Sequence, residues 1–393
     1  MIEKVIDTPV CGNKCSGCGA CTVICARQCI KMEINKRGFY RPVKNGTRCI
    51  NCGLCKKVCP QLSIEALSLD NADLYAAHVQ NEQERRESSS GGIAYCLANY
   101  GIHNGYGICG VIMNYKMFRA EHRVFMPGEE VNALKGSKYL QSNPSAFTDI
   151  IVKLQSDKDL KFIVFGTPCQ VAGYNQILRR KKLRDRVILV DIFCHGVPSN
   201  LLWSKYLGWL ERKKKVRKND IMSVTFRDKN YSWHQYYMHI KTSSQNGEGI
   251  DYVANTDKDP FLKIFTMGAV NQKSCFTCLY RNQSAADIRL GDYWGTYYKN
   301  TEEGVSMVLV NTPEGMDLMN AIREKIVLSK RSITERFGQQ HTNYQYPKYY
   351  DVSFEILLDE KAELKSIINL YENGYDRIKK KVKKIVKAML RRS

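Results

Sequence analysis

The sequence predicts an α+β protein in three parts: a small cysteine-rich N-terminal module (residues 1–66), a larger α/β domain (67–340), and an aromatic linker with a basic, helical C-terminal tail (341–393). Three observations predict it. Ten of the sixteen cysteines lie within the first 59 residues. Both KFIVFGTPCQVAGYNQILRR and VILVDIFCHGVPSNLLWSKYLGWLERK run from a short apolar strand through a turn into helical spacing, the plan of a parallel sheet covered by helices. Residues 377–393 hold nine Lys or Arg and no acid.

At 393 residues, 44% hydrophobic and 25% charged, the chain is long enough for a small module and a substantial core. MIEKVIDTPV mixes charges and lacks an apolar stretch of the kind export signals carry, so the cysteines are expected to be reduced in a cytoplasmic setting rather than paired. No apolar run approaches the roughly 18 residues of a membrane span. The net charge of +21 is concentrated at one end, because the tail's nine cations leave +12 for everything else. That placement, with no nucleic-acid-binding module legible, argues against nucleic acid as a partner.

In the module, CSGCGACTVIC (15–25) and CINCGLCKKVC (49–59) both spell C-x-x-C-x-x-C-x-x-x-C. Three closely spaced thiolates cap three corners of a cubane, and the fourth reaches the other cluster, as in ferredoxins that carry two 4Fe–4S clusters. The expected ligand sets are Cys15, Cys18 and Cys21 with Cys59, and Cys49, Cys52 and Cys55 with Cys25. Zinc is the alternative, but zinc sites pair C-x-x-C units across a loop and do not need eight thiolates in this register. Ala26 stands where the second motif has Pro60, and Cys11 and Cys29 are surplus, expected to be structural. Between the motifs, Ile30, Met32 and Ile34 alternate with polar residues before an NKRG turn, which predicts a short hairpin.

Four later cysteines follow another pattern. Cys169 follows KFIVF and Cys194 ends VILVDIFC, so both fall at the carboxyl ends of predicted parallel strands, where such sheets place ligands. CFTC adds Cys275 and Cys278, making the four thiolates of a third 4Fe–4S cluster. The other reading is a pair of buried thiols with a separate zinc or redox pair.

SSSGGI (88–93), KGSKYLQS (135–142), GTPCQVAGY (166–174), CHGVPS (194–199) and CFTCLYRNQSAADIRLGDYWG (275–295) occur in that order. Together they resemble the coenzyme F-420 hydrogenase/dehydrogenase beta-subunit family, here with a two-cluster ferredoxin module fused at the N-terminus. The resemblance implies a flavoprotein oxidoreductase: FAD in the larger domain, a further 4Fe–4S cluster on Cys169, Cys194, Cys275 and Cys278, and electrons passing between the clusters and a hydride carrier, deazaflavin or nicotinamide. A non-enzymatic electron carrier docking to a separate dehydrogenase or reductase is the alternative.

No G-x-G-x-x-G fingerprint is present, so FAD needs another cradle. Ser89, Ser90, Gly91 and Gly92 put hydroxyls and permissive backbone at a helix start, a place that favours phosphate. Ser137 and Lys138 add a hydroxyl and a cation, and Tyr139 a ring able to stack on a flavin; a capped surface helix and an ordinary loop are the plainer readings. His195 is expected to tune the neighbouring cluster, to relay a proton or to be a structural histidine, and Asp287 and Asp292 to position a polar group or to satisfy loop amides. Arg281 and Trp294 carry no assigned role. In the tail, Ile378, Val382, Ile385, Val386, Met389 and Leu390 form one helical stripe flanked by lysines, suited either to peripheral contact with the inner face of the cytoplasmic membrane or to docking on the chain's own domain.

Overall fold

The computed structural model describes residues 5–6, 10–63, 65–243, 249–338 and 344–372; the basic tail lies outside them. Among the described residues no helix is long and apolar enough to cross a membrane.

The predicted hairpin is present. Strand Ile30–Ile34 pairs antiparallel with Tyr40–Asn45, from Ile30 opposite Lys44 to Ile34 opposite Tyr40. Asn35 Oδ1 accepts from the backbone N–H groups of Arg37 and Phe39 at 3.1 and 3.0 Å, and Gly38 turns the chain at φ +77°. The hairpin tip sits on the start of helix Asn200–Lys214, where Asn200 N donates to Gly38 O at 3.0 Å and Ser199 Oγ to Arg37 O at 2.6 Å. The two cysteine motifs fold alike. Each runs into a one-turn helix, Ala20–Val23 or Leu54–Lys57, through a left-handed glycine, Gly19 or Gly53, at the same place in the motif. An added Cβ is disfavoured at that φ.

The larger domain is built on an eight-stranded mixed sheet of β1 (Asp73–Val79), β2 (Tyr106–Asn114), β3 (Arg119–Phe125), β4 (Lys161–Phe165), β5 (Val187–Ile192), β6 (Ile288–Asp292), β7 (Ser306–Val310) and β8 (Ile326–Arg331). Its spatial order is β8-β1-β7-β6-β5-β4-β2-β3. Strands β2, β4, β5 and β6 are mutually parallel, and the flanking pairs are antiparallel. In β4, Phe162, Ile163 and Val164 are all fully buried, as a strand covered on both faces requires. Helix Pro168–Arg180 carries the chain from β4 to β5 as a crossover.

Helix Asn200–Lys214, expected to cover the sheet as well, belongs to a second core. Its Leu202, Trp203, Tyr206, Leu207 and Leu210 pack with the antiparallel sheet Ile221–Thr225, Tyr237–Thr242 and Asp251–Asn255, and with helices Pro260–Thr266, Tyr350–Leu358 and Leu364–Tyr371. Phe39 from the hairpin completes this core. The stretch NEQERRE, polar in sequence, forms a short helix, Glu82–Glu87, because Asn81 Oδ1 caps it by accepting from Glu84 N at 2.9 Å.

At the sheet's centre, Asp191 of β5 lies directly opposite Arg289 of β6, both wholly buried, and the pair is bidentate at 2.6 and 2.7 Å. Ser284 Oγ donates to the same carboxylate at 2.8 Å. Burying one partner alone leaves an uncompensated charge. Asp191→Ala is therefore expected to destabilise the protein by about 3–5 kcal/mol, read as a lower denaturation midpoint in urea, while replacing both partners with apolar residues costs less.

Candidate redox site

Cys15, Cys18 and Cys21 line one cavity together with Cys59, which arrives from the second motif, and with Cys11, Met32, Pro42 and Gln61. Burial pushes the Cys21 thiol up to about 12 and that of Cys18 well above its ordinary value. The hydrogen bond from Cys11, helped by the Arg41 charge, brings Cys15 down to about 6. Cys25 packs in a cluster with Cys29, Cys49 and Cys55 that Cys21 also joins, and Cys52 is exposed. Cys59 thus lines a cavity with the first three cysteines of the other motif, and Cys25 packs with Cys49 and Cys55. Cys11 and Cys29, read as surplus, stand against these groups.

The second thiol group is at the carboxyl ends of the parallel strands. Cys169 lies in the first turn of helix Pro168–Arg180, just past β4, and Cys194 lies just past β5. Cys275 and Cys278 come from the loop before β6. The Cys275 thiol feels Cys194, Cys169 and Cys278, and Cys194 feels Cys169 and Cys278, so the four share one electrostatic neighbourhood. Burial raises all four, Cys169 to about 11 and Cys194 to about 12. Buried thiols of this kind lose their protons when a cationic centre repays the charge. Among the described residues no three thiol, imidazole or carboxylate groups crowd tightly enough to hold a single ion; a four-iron cubane is a wider guest.

Arg289 holds this loop. Beyond its bond to Asp191 it donates to the carbonyls of Tyr280, Arg281 and Gln283 at 3.1, 3.4 and 3.0 Å. Arg281, in turn, donates to Cys275 O at 2.6 Å and lies 4.4 Å from the Tyr344 ring centre. Phe276 stacks on Tyr344 at 4.9 Å, so the aromatic segment that begins the C-terminal part packs beside the thiol loop. Asp287 is at the far end of β6, accepting from Arg184, from Leu189 N and from Thr312 Oγ1 at 2.7–2.9 Å, which is the amide-satisfying role. Asn271 Nδ2 reaches His195 O at 3.5 Å.

The two thiol groups are neighbours, close enough for Cys169 to act electrostatically on Cys18. A Cβ on Gly173 would lie 2.8 Å from Ala20 Cβ, 3.2 Å from Cys18 Sγ and 3.4 Å from Pro60 Cδ, so the helix that bears Cys169 meets the ferredoxin-like module without a side chain between them. Tyr280 Oη donates to Pro60 O at 2.7 Å, and its electrostatic neighbours are Cys169, Cys18, Cys278 and Cys59. Two buried glutamines sew the joint. Gln141 accepts from Tyr40 N at 2.8 Å and donates to Gln272 at 3.1 Å, and Gln272 donates to Cys15 O at 2.9 Å. Gln141 and Tyr280 lie inside motifs already singled out, but nothing in a lone sequence distinguishes them from their neighbours there; Gln272 lies outside every such motif.

The Ser/Gly segment sits at the same edge of the sheet. Ser89 Oγ accepts from Ser137 N at 2.7 Å and lies 2.9 Å from Ser137 Oγ, which brings the two motifs together. Gly91 passes so close to β1 and β7 that a Cβ would lie 2.3 Å from Ala77 O, and Gly92 has φ +88°. Ser90 Oγ donates to Val305 O at 2.8 Å. Lys138 Nζ donates to the carbonyls of Ala133 and Lys135 at 2.9 and 2.8 Å, and burial brings it down to about 7 with no carboxylate in compensation. Lys229 is buried as well, donating to the carbonyls of Arg85, Ser90 and Glu303, and burial beside Arg227 and Arg85 brings it to about 7. Tyr139 is engaged: its ring stacks on Phe265 at 4.5 Å and Tyr236 at 5.6 Å. Arg227 pairs with Asp292 at 2.5 Å and lies 4.9 Å from the Trp294 ring, which stacks on Trp233 at 4.8 Å.

Repeated cysteine motifs in a ferredoxin-like module, joined to a mixed sheet, define an iron–sulfur electron-transfer protein. Residues 14–62 match the 4Fe-4S dicluster domain, and residues 159–336 match the family described as the C terminus of the coenzyme F420 hydrogenase/dehydrogenase beta subunit. Residues 159–336 thus carry the C-terminal region of the coenzyme F420 hydrogenase/dehydrogenase beta-subunit family, and a 4Fe-4S dicluster domain precedes it in the chain. Curated proteins yield no match. Among solved structures, a chain of the F420-reducing nickel–iron hydrogenase complex from Methanosarcina barkeri, solved as a xenon derivative, is 15% identical with a TM-score of 0.44, covering 75% of this chain and 90% of that one.

The joint is sensitive to volume. Gly173→Val must displace Ala20, Cys18 or Pro60 and is expected to cost about 1–3 kcal/mol. Faster proteolytic cleavage in the segment that follows Pro60, at unchanged folding of the sheet domain, is the expected readout.

Proposed function

We propose that the chain is an iron–sulfur flavoprotein oxidoreductase that exchanges hydride at FAD and passes single electrons through 4Fe–4S clusters to or from a partner. The observation that carries this reading is the succession of sites: the module packs on the Cys169-bearing helix at Gly173, where Cys18 feels the charge of Cys169, and the basic Ser/Gly cradle lies at the same edge of the sheet. In it, Cys15, Cys18, Cys21 and Cys59 hold the inner cluster of the module and Cys25, Cys49, Cys52 and Cys55 the outer one. Cys169, Cys194, Cys275 and Cys278 hold a third.

FAD, when bound, supplies the exchange of a two-electron hydride for two single electrons, which clusters alone cannot make. The chain's own residues do the rest. Ser89, Ser90, Gly91, Gly92 and Ser137 present hydroxyls and backbone N–H groups to a diphosphate, and Lys138 gives its charge the anionic partner it lacks among the side chains. Tyr139 contributes packing rather than an open face. Arg289 fixes the loop carbonyls around Cys275 and Cys278, and Tyr280 holds Pro60 so that the module and that loop keep their separation. The hydride carrier is a deazaflavin or nicotinamide coenzyme, and the electron partner a separate redox protein.

Anaerobic purification followed by denaturation is expected to release FAD near one equivalent per chain, with iron and acid-labile sulfide for the clusters. Complete iron without flavin would overturn the hydride step and leave a one-electron carrier that docks to a separate dehydrogenase. Lys138→Met is expected to lower the flavin content several-fold while leaving iron unchanged.

The pH dependence has a definite sign. Lys138 and Lys229 sit at about 7 when folded against an ordinary 10.5, so between those values the unfolded chain binds more protons and flavin-free stability rises with pH. Diphosphate binding favours the protonated lysine, so affinity for pyrophosphate is expected to fall up to about tenfold per pH unit above 7 for each linked proton. Calorimetry in buffers of different ionisation enthalpy would register the proton uptake.

A further inference from the structure

Cys29 and Cys11 lie outside the repeated motifs, and each stands against thiols that the motifs supply. Cys29 Sγ is 3.4 Å from Cys25 Sγ. A reverse turn brings them together: Gln28 N donates to Cys25 O at 2.8 Å, and Gln28 takes the left-handed φ of +48°, which doubles the chain back. Cys29 then enters strand Ile30–Ile34 with its carbonyl accepting from Asn45 N at 2.8 Å, so its backbone is pinned while Cys25 lies on the turn. Cys29 is 5% exposed and packs in the same cluster as Cys25, Cys49 and Cys55. The second motif has no counterpart, because Cys59 is followed by Pro60 and a turn in which Leu62 N and Ser63 N both donate to Cys59 O. At the other cavity Cys11 lines the same space as Cys15 and Cys59.

We propose that Cys25 and Cys29 are interchangeable ligands for one corner of the outer cluster, so that Cys29 takes the iron when Cys25 is lost. Cys11, which lines the same cavity as Cys15, plays that part at the inner cluster. The inference rests on the two-cluster reading above. The exchange conserves charge and oxidation state: the incoming thiol gives up its proton as its sulfur binds iron, and the departing thiolate takes one up. At 3.4 Å the exchange needs side-chain rotation and little backbone movement.

The test uses the full-length chain, purified anaerobically, as wild type, Cys25→Ala, Cys29→Ala and the double variant. Iron and acid-labile sulfide are counted, and electron paramagnetic resonance is recorded on the reduced proteins. Each single variant is expected to keep the wild-type iron and sulfide, with shifted resonance in Cys25→Ala because a different backbone position supplies the thiolate. The double variant is expected to lose one cubane's worth of both. Loss in either single variant equal to that of the double overturns the proposal, whether or not circular dichroism shows the module still folded. Wild-type protein without acid-labile sulfide would instead refute the cluster reading itself. The Cys11→Ala, Cys15→Ala and paired variants repeat the design at the inner cavity, with the same outcomes counting for and against.

Discussion

The buried pair of Asp191 and Arg289 is the constraint from which much of the redox architecture hangs. A guanidinium has more donors than one carboxylate can accept, and in the dry interior each must find an acceptor. Arg289 spends its remainder on the carbonyls of Tyr280, Arg281 and Gln283, so the electrostatics of the sheet centre dictate the path of the loop that bears Cys275 and Cys278. The strands place Cys169 and Cys194, and the arginine places the other two thiols opposite them.

The same loop carries the contact with the N-terminal module. Tyr280 reaches Pro60, the residue that ends the second cysteine motif, and the bare backbone of Gly173 admits Ala20 from the first. Gln141 and Gln272 add polar stitches that are buried and mutually bonded. A buried polar stitch is costly when half made, so these bonds specify one docked geometry rather than a range of them.

Much of this was legible in the residues, and the reason differs by region. Cysteine spacing is a strong signal because a cluster imposes its own geometry on a short stretch of chain, and the identical placement of Gly19 and Gly53 follows from the repeated motif. The hairpin, the β4 crossover and the later strand and helix at Ser306–Val310 and Pro313–Ala321 obeyed periodicity. Helix Asn200–Lys214 did not stay on the sheet, since its apolar face is satisfied equally well by a second core assembled from segments as distant as Phe39 and Ile368. Nor could spacing reveal that Cys29 folds back on Cys25, because that depends on one left-handed residue, Gln28. Tyr139 illustrates the limit for side chains: a ring beside a lysine is equally apt for a ligand or for a core, and only its neighbours Phe265 and Tyr236 decide what it packs on here.

The close passage at Gly173 has a kinetic meaning. A separate ferredoxin must diffuse to its partner, and its delivery of electrons slows as either protein is diluted. Here the module is held against the sheet domain by its own backbone, so the effective concentration of one centre at the other is set by geometry and not by expression level. In the proposed relay, transfer across that joint is a first-order event, and dependence on the abundance of another protein falls on an encounter elsewhere, such as at the exposed Cys52.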